Sequence, residues 1–191
     1  MIDPTGAEPM WLARFNTETT MRMPLILAAL TLTAGAATAD VAVSFREGAP
    51  VDRFFLENTG DCDLGQVTVT FDLSTSAAGL IFDVTAAGAG VEVYQPVVML
   101  TEGNVSYNLS PVTDGMQLVA VELSNFDPGM RIGMSADVDD TLAESALGQI
   151  RVAGSEIAGA QVILNTPDGE VTAAFDTAAQ AVLPTPPCVS S

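Results

Sequence analysis

Residues 65–73 read GQVTVTFDL, and the apolar side chains in this stretch occupy every second position. The apolar positions are Val67, Val69, Phe71 and Leu73. In an extended strand successive side chains point to opposite faces, so these four would face a core while the residues between them face water. The stretch therefore predicts a β-strand with one buried face.

Similar short runs recur about every ten residues and are separated by Gly, Pro, Asn and Asp, which is typical of an all-β protein. Strands are expected at 41–46, 53–57, 65–73, 79–84, 90–99, 105–109, 116–123, 130–137, 148–153, 157–164 and 170–175. Only residues 141–147 are expected to form a helical turn. Two packed sheets bury such one-sided strands, so we predict an antiparallel two-sheet β-sandwich, immunoglobulin-like or jelly-roll-like, with about ten strands and at most one short helix.

The clearest local signal lies near the start of the chain. Met21-Arg22-Met23 precedes an apolar run at residues 24–34, and Ala37-Thr38-Ala39 follows it. A basic start, a short apolar segment and small residues at the −3 and −1 positions are the three parts of a signal peptide. The run is well short of the ~20 residues that cross a bilayer, so no transmembrane anchor is predicted. We expect export to the periplasm or the extracellular space, with cleavage before Asp40.

These signals divide the chain into four segments. Residues 1–20 carry acidic residues where a signal peptide should be basic, so they are expected to be a mis-assigned N-terminal extension. Residues 21–39 would be the signal peptide. The roughly 150 residues that follow suit a single domain. We assign the β-sandwich domain to 40–182 and an extended, proline-rich C-terminal tail to 183–191.

The mature segment is strongly acidic. Residues 40–191 hold 21 of the 24 acidic residues and four of the six basic ones, which gives a formal charge of −17, and the chain has neither Lys nor His. Binding to phosphate requires cations, so nucleic acid is excluded as a partner. An acidic surface attracts divalent cations and basic partners. The alternative is that the acidity serves only solubility at high salt.

Two cysteines, Cys62 and Cys188, remain in the mature segment. An even number of cysteines in an exported protein indicates a disulfide. The prolines before Cys188 favour a stiff, extended tail that reaches a defined partner. We predict a bond between Cys62 and Cys188, and the alternative is two free thiols.

The composition also limits the possible chemistry. Without histidine, the Ser–His–Asp and Cys–His arrangements and the usual zinc sites are excluded, and without lysine there is no Schiff base or P-loop. Residues 88–90 (GAG) lack the strand and helix that flank a dinucleotide-binding fingerprint, so they predict a turn. Only carboxylates could support catalysis, as in glycoside hydrolysis, and no catalytic residue is predicted.

Three carboxylates within four positions, Asp137, Asp139 and Asp140, stand where a predicted strand ends. Like charges this close repel unless a positive group lies among them. Ca²⁺ takes six to eight oxygen ligands, many of them from carboxylates, although the segment lacks the spacing of an EF-hand loop. We predict these three residues as metal ligands, with calcium as the cofactor. The alternative is a solvated acidic turn in which Asp139 or Asp140 caps the short helix after it.

Several stretches carry a resemblance to a known group of proteins. They are 43–54 (VSFREGAPVDRF), 57–67 (ENTGDCDLGQV), 79–83 (GLIFD), 90–93 (GVEV), 137–142 (DVDDTL) and 154–160 (GSEIAGA). Together they resemble small exported bacterial proteins described as similar to the core protein of the sponge aggregation factor. The resemblance implies an extracellular β-sandwich with a calcium-linked adhesive role.

The leading functional hypothesis is an exported, acidic β-sandwich that works as a calcium-stabilised binding or adhesion module at a cell surface or matrix. Its partner would be a protein or a surface polysaccharide. The alternative is a carboxylate-dependent hydrolase or a carbohydrate-binding domain, although the mature segment offers few aromatic residues besides Tyr94 and Tyr107 for stacking on sugars. A purely structural envelope or matrix protein is the third hypothesis.

Overall fold

A computed structural model describes residues 39–91, 93–101, 105–145 and 147–185, with the backbone alone for 39 and 40. The strands, in chain order, are β1 (Ala39–Arg46), β2 (Asp52–Asn58), β3 (Val67–Asp72), β4 (Ile81–Phe82), β5 (Val98–Thr101), β6 (Tyr107–Leu109), β7 (Leu118–Leu123), β8 (Arg131–Ala136), β9 (Val138–Asp139), β10 (Gln161–Thr166), β11 (Gly169–Ala174) and β12 (Gln180–Thr185). The described residues contain no helix, and so none that could cross a membrane. The predicted N-terminal extension, the signal peptide up to residue 38 and Cys188 lie outside them.

Ten of the twelve strands form two five-stranded sheets. Sheet one has the order β12-β1-β2-β8-β5, and sheet two has the order β11-β10-β3-β7-β6. Strands β4 and β9 form a separate two-stranded ribbon. All neighbouring strands are antiparallel. The predicted antiparallel two-sheet sandwich is therefore confirmed, with twelve strands instead of about ten.

The core is built around Phe54 of sheet one. Its ring centroid lies 4.8 Å from that of Phe71 in sheet two, 5.0 Å from Phe45 and 6.4 Å from Phe82 of the ribbon. All four rings are buried. Tilted aromatic pairs at these distances add stability beyond the burial of their area, so one side chain links both sheets and the ribbon. The alternation that predicted β3 is observed, since its core-facing residues are at most 1% exposed.

Three local predictions were wrong. Residues 148–153 form turns instead of a strand, since Gly148 has a φ of 82° and only Val152 is fully buried there. Within 90–99, strand structure begins only at Val98. The described residues of 141–147 do not form the expected helical turn, and their backbone is irregular.

The sheet also continues past the predicted domain boundary at residue 182. Strand β12 extends to Thr185 and pairs with β1, and Ala181, Leu183 and Thr185 are buried on one face. Pro184 is accommodated because β12 is an edge strand, where a missing N–H need not be paired. The first residues of the expected tail therefore belong to the sandwich.

Candidate cation site

The strand β8 leads directly into β9, which leaves sheet one and pairs with β4. Ile132, Met134 and Val138 along this stretch are buried in the core. Because successive side chains of extended backbone point to opposite faces, Asp137 and Asp139 lie on the side away from those residues. Two of the three predicted ligands thereby share one face.

The ribbon brings in Asp83, which follows β4. In the ribbon Phe82 pairs with Val138, and the Asp83 N–H donates a 3.1 Å hydrogen bond to the Asp137 carbonyl. One carboxylate oxygen from each of Asp83, Asp137 and Asp139 lies within 4.8 Å of the other two. We call these three residues the aspartate cluster. Its members are only 1–2% exposed.

The connection between β4 and β5 closes over the aspartate cluster. The Val91 N–H donates a 2.8 Å hydrogen bond to Asp139 Oδ2, and the Gln95 backbone bonds to the backbones of both Asp83 and Asp137 at 3.3 Å. Gly90 is required here, because its φ is +132° and a Cβ atom would lie 2.4 Å from Asp83 Cγ. The turn predicted at residues 88–90 therefore helps to exclude water from the carboxylates.

Each member of the aspartate cluster retains a buried oxygen with no hydrogen-bond partner among the described residues. These atoms are Asp83 Oδ2, Asp137 Oδ2 and Asp139 Oδ1. No basic side chain compensates them, since the only ion pair in the described part of the chain joins Arg151 to Glu47. Buried carboxylates normally pair with donors or cations, so this arrangement is costly as it stands.

The surroundings favour protonation or cation binding over free carboxylates. Burial and, to a smaller extent, the neighbouring Asp139 and Asp83 carboxylates together raise the pKa of Asp137 to about 7. Burial likewise raises the pKa of Asp139 to about 6, although the Val91 N–H opposes the shift. The pKa of Asp83 is raised, first by burial and then by Asp114. At neutral pH the aspartate cluster therefore needs a positive charge, either a proton or a metal ion.

Two further buried aspartates lie outside the aspartate cluster. Asp140 accepts a 2.9 Å hydrogen bond from the Leu142 N–H. This bond closes a turn and does not cap a helix. The second carboxylate oxygen, Oδ2, is buried without a partner in the described structure. Asp52 accepts N–H groups of Gly48 and Val138, both at 3.1 Å, and burial raises its pKa to about 8. Asp52 thus ties the loop after β1 to β9.

The structure therefore brings together Asp137 and Asp139 of the predicted ligand set, but the third member of the group is Asp83 instead of Asp140. Sequence reasoning missed Asp83 because it lies in a different predicted strand. The available signal was its place after Phe82, which resembles the place of Asp139 after Val138. Pairing β4 with β9 would have placed the two carboxylates together.

The structure describes one of the two cysteines of the predicted disulfide. Cys62 is buried, and its carbonyl accepts a 2.8 Å hydrogen bond from the Asn58 side chain, while Cys188 lies outside the described residues. In sheet one Val41 pairs with both Asn58 and Leu183. The loop that carries Cys62 and the end of β12 therefore lie at the same end of the sheet, and the bond stays a prediction.

Comparison of the chain with protein-family models, with curated proteins and with solved structures found no match in any of the three.

Proposed function

We propose that this protein is an exported, non-enzymatic binding or adhesion module whose fold is completed by Ca²⁺ bound at the aspartate cluster. One observation carries the proposal: three buried carboxylates converge, each with an oxygen that lacks a partner among the described residues, and no basic side chain pairs with them there. A divalent cation would supply the missing charge and the missing partner atoms together.

The dimensions of the aspartate cluster support calcium. Oxygen ligands lie ~2.3–2.6 Å from Ca²⁺, so two ligands of one ion are at most about 5 Å apart. The carboxylate oxygens of Asp83, Asp137 and Asp139 lie within 4.8 Å of one another, inside that span. Mg²⁺ binds at ~2.0–2.1 Å and demands nearly octahedral geometry, whereas Ca²⁺ tolerates a flexible arrangement of six to eight oxygens. Ca²⁺ is therefore the ion that we expect at the aspartate cluster.

Burial argues against the hydrolase alternative at this site. A glycosidase places its two carboxylates on either side of a substrate bond, so both must reach the substrate. The members of the aspartate cluster are 1–2% exposed and lie beneath Gly90 and Val91. A buried ion at this position would hold the β4–β9 ribbon and the loop above it to sheet one, which is a structural role.

Three features support an adhesive role: the signal peptide expected at 21–39, the −17 charge of the mature segment and the resemblance to exported aggregation-factor-like proteins. Extracellular modules bind Ca²⁺ with a Kd of about 10⁻⁴–10⁻³ M, so they are loaded outside the cell and can be released by chelators. Calcium would then control whether the surface elements above the cluster are ordered.

Calorimetric titration of the mature protein with Ca²⁺ tests the cation. We expect one ion per chain, weaker binding of Mg²⁺, and loss of binding in Asp139→Asn. The matched control is Asp168→Asn, the same change at an exposed turn, which should bind normally. Absence of saturable calcium binding would contradict the proposal.

Adhesion is tested separately with cells of the source organism and fluorescent mature protein. Retention on the cell surface should require Ca²⁺ and be reversed by a chelator. Equal retention of the wild type and Asp139→Asn in calcium would separate adhesion from the cation and refute the link between them.

A further inference from the structure

Three of the four arginines in the described residues lie on the outer face of sheet one. They are Arg46 of β1, Arg53 of β2 and Arg131 of β8, and all three are exposed. Arg46 and Arg53 stand directly opposite each other in the register. Like charges in that position destabilise a sheet. In a mature segment with 21 acidic residues and four basic ones, this concentration of positive charge points to a function.

Two of these arginines, Arg46 and Arg131, are held by an aromatic ring instead of by carboxylates. The guanidinium carbons of Arg131 and Arg46 lie 4.5 Å and 5.2 Å from the ring centroid of Phe55. Neither is in an ion pair within the described structure, although Glu57 stands opposite Arg131 in the register. Stacking orients a planar guanidinium and leaves its N–H groups free for an external oxyanion.

Around Phe55 the surface forms two adjoining cavities of about 430 Å³ and 240 Å³. Both are lined by Arg46, Phe55 and Arg131; the larger reaches Leu100 on β5 and the smaller reaches Gln180 on β12. We call the pair the arginine groove. It crosses all five strands of sheet one, which is about 19 Å at ~4.8 Å per strand. That length suits an extended chain better than a single small molecule.

The floor of the arginine groove is flat at Gly133, which lies between Phe55 and Leu100 in the register. A Cβ atom at Gly133 would lie 3.0 Å from the Leu100 side chain and 3.2 Å from the Phe55 ring. Glycine therefore lets the two apolar side chains approach each other across β8. The groove thus offers apolar surface in the middle with three arginines around it, and the Glu57 carboxylate lines only the smaller cavity.

We infer that the arginine groove binds an acidic polysaccharide, a chain of uronic-acid sugars whose carboxylates pair with Arg46 and Arg131. Two guanidinium forks match carboxylate geometry and can each bind one in a bidentate manner. Pyranose rings present C–H faces that suit the surface of Phe55 and Leu100, and their hydroxyl groups remain in water. This inference rests on the proposed function in one respect, because the polysaccharide would be the partner of the proposed binding module.

An acidic peptide fits this surface less well. Phe55 lies on β2, which pairs with β1 on one side and β8 on the other, so the strand beneath the groove has its backbone groups engaged. Peptides that bind to sheets usually add to a free edge, where main-chain groups are available. A peptide lying across this face would bury amide groups without partners, which is costly. Duplex nucleic acid carries one charge per ~1.7 Å of helix axis and needs many cationic contacts, which the three arginines around the groove do not supply.

The probe is a tetramer of α-1,4-linked galacturonate, which is too short to gel with calcium, titrated into the exported protein. We expect saturable binding that weakens with salt, and at least tenfold weaker binding of the fully methyl-esterified tetramer. Arg46→Gln and Arg131→Gln should each weaken binding about tenfold, since a hydrogen bond to a charged group is worth about that factor. Arg151→Gln is the matched control, because Arg151 pairs with Glu47 away from the groove, and it should bind normally.

Three results would overturn the inference: equal binding of the ester, normal binding by both groove variants, or equally tight binding of tetraglutamate, which would indicate a general anion site. The inference would also be overturned if the protein forms a dimer that is lost in Arg46→Gln and is not dissociated by the galacturonate tetramer. That result would identify a second copy of the chain as the occupant. Each variant must unfold cooperatively at nearly the melting temperature of the wild type, which shows that it folds. If the wild type does not bind the tetramer but shows the calcium-induced rise in melting temperature, only the groove is refuted. If the wild type binds the tetramer without that rise, only the cation site is refuted.

Discussion

Replacing Asp139 by asparagine should have opposite effects on stability with and without calcium. The asparagine side chain has nearly the same shape, and its carbonyl can still accept the Val91 N–H that now donates to Asp139 Oδ2 at 2.8 Å. The change therefore removes a buried negative charge with little change in packing. In a chelator this should stabilise the fold, and in calcium it should remove a ligand.

The size of both effects follows from the environment of the aspartate cluster. Burial raises the pKa of Asp139 from 3.8 to about 6, so keeping it ionised at pH 8 costs at most about 3 kcal/mol, and about half of that after solvent screening. Calcium at 100 times its Kd would stabilise the wild type by about 2.7 kcal/mol, a rise of roughly 5–10 °C in melting temperature. Asp139→Asn should therefore melt several degrees higher than the wild type in chelator and show no calcium shift.

The measurement is thermal unfolding in calcium, in magnesium and in chelator at matched ionic strength, because screening of the acidic surface also stabilises the fold. Asp168→Asn makes the same chemical change at an exposed turn and should behave like the wild type in every buffer. If Asp139→Asn is less stable than the wild type in chelator and keeps the calcium shift, the cluster is not a cation site and the reasoning fails.

Three further predictions concern pH, the disulfide and the mature terminus. Since the folded pKa values of Asp137 and Asp139, about 7 and about 6, lie above the usual value near 3.8, the stability gained from their protonated forms is complete below pH ~4 and is lost as pH rises through 6 to 7. In chelator the difference in melting temperature between Asp139→Asn and the wild type should therefore grow from pH 5 to pH 8, and a constant difference would contradict the pKa shifts. Non-reducing peptide mapping of the exported protein should recover Cys62 linked to Cys188, and alkylation of both thiols without reduction would exclude the bond. Intact-mass measurement of exported protein should place the N-terminus at Asp40, and a product that retains residues 21–39 would disprove cleavage.

The strand pattern and the fold class were accessible from local sequence. The alternation of Val67, Val69 and Phe71 with polar residues depends only on the geometry of an extended chain, so it predicted β3 without knowledge of its partners. The same reasoning failed at 148–153, where apolar residues alternate but only Val152 is fully buried. Whether an alternating segment joins a sheet depends on a neighbouring strand with free backbone groups, and that neighbour is set elsewhere in the chain.

The candidate cation site was accessible only in part. The density of Asp137, Asp139 and Asp140 drew attention to the right segment, but alternation places Asp140 on the other side of the backbone from the first two. Counting charges along the sequence does not account for that change of face. Asp83 joins the group through the pairing of β4 with β9, a contact between distant parts of the chain.

The sequence by itself determined the fold class and the chemical groups of this protein. Its one-sided strands led to an all-β fold, and its acidity and lack of histidine and lysine left carboxylates and a few arginines as the available groups. The tertiary structure decided how those groups are distributed in space. It covered three carboxylates with the loop at Gly90 and gathered Arg46, Arg53 and Arg131 around Phe55. The physical reason is that periodicity and composition are properties of short segments, whereas burial and convergence depend on which distant strands pair and in which register.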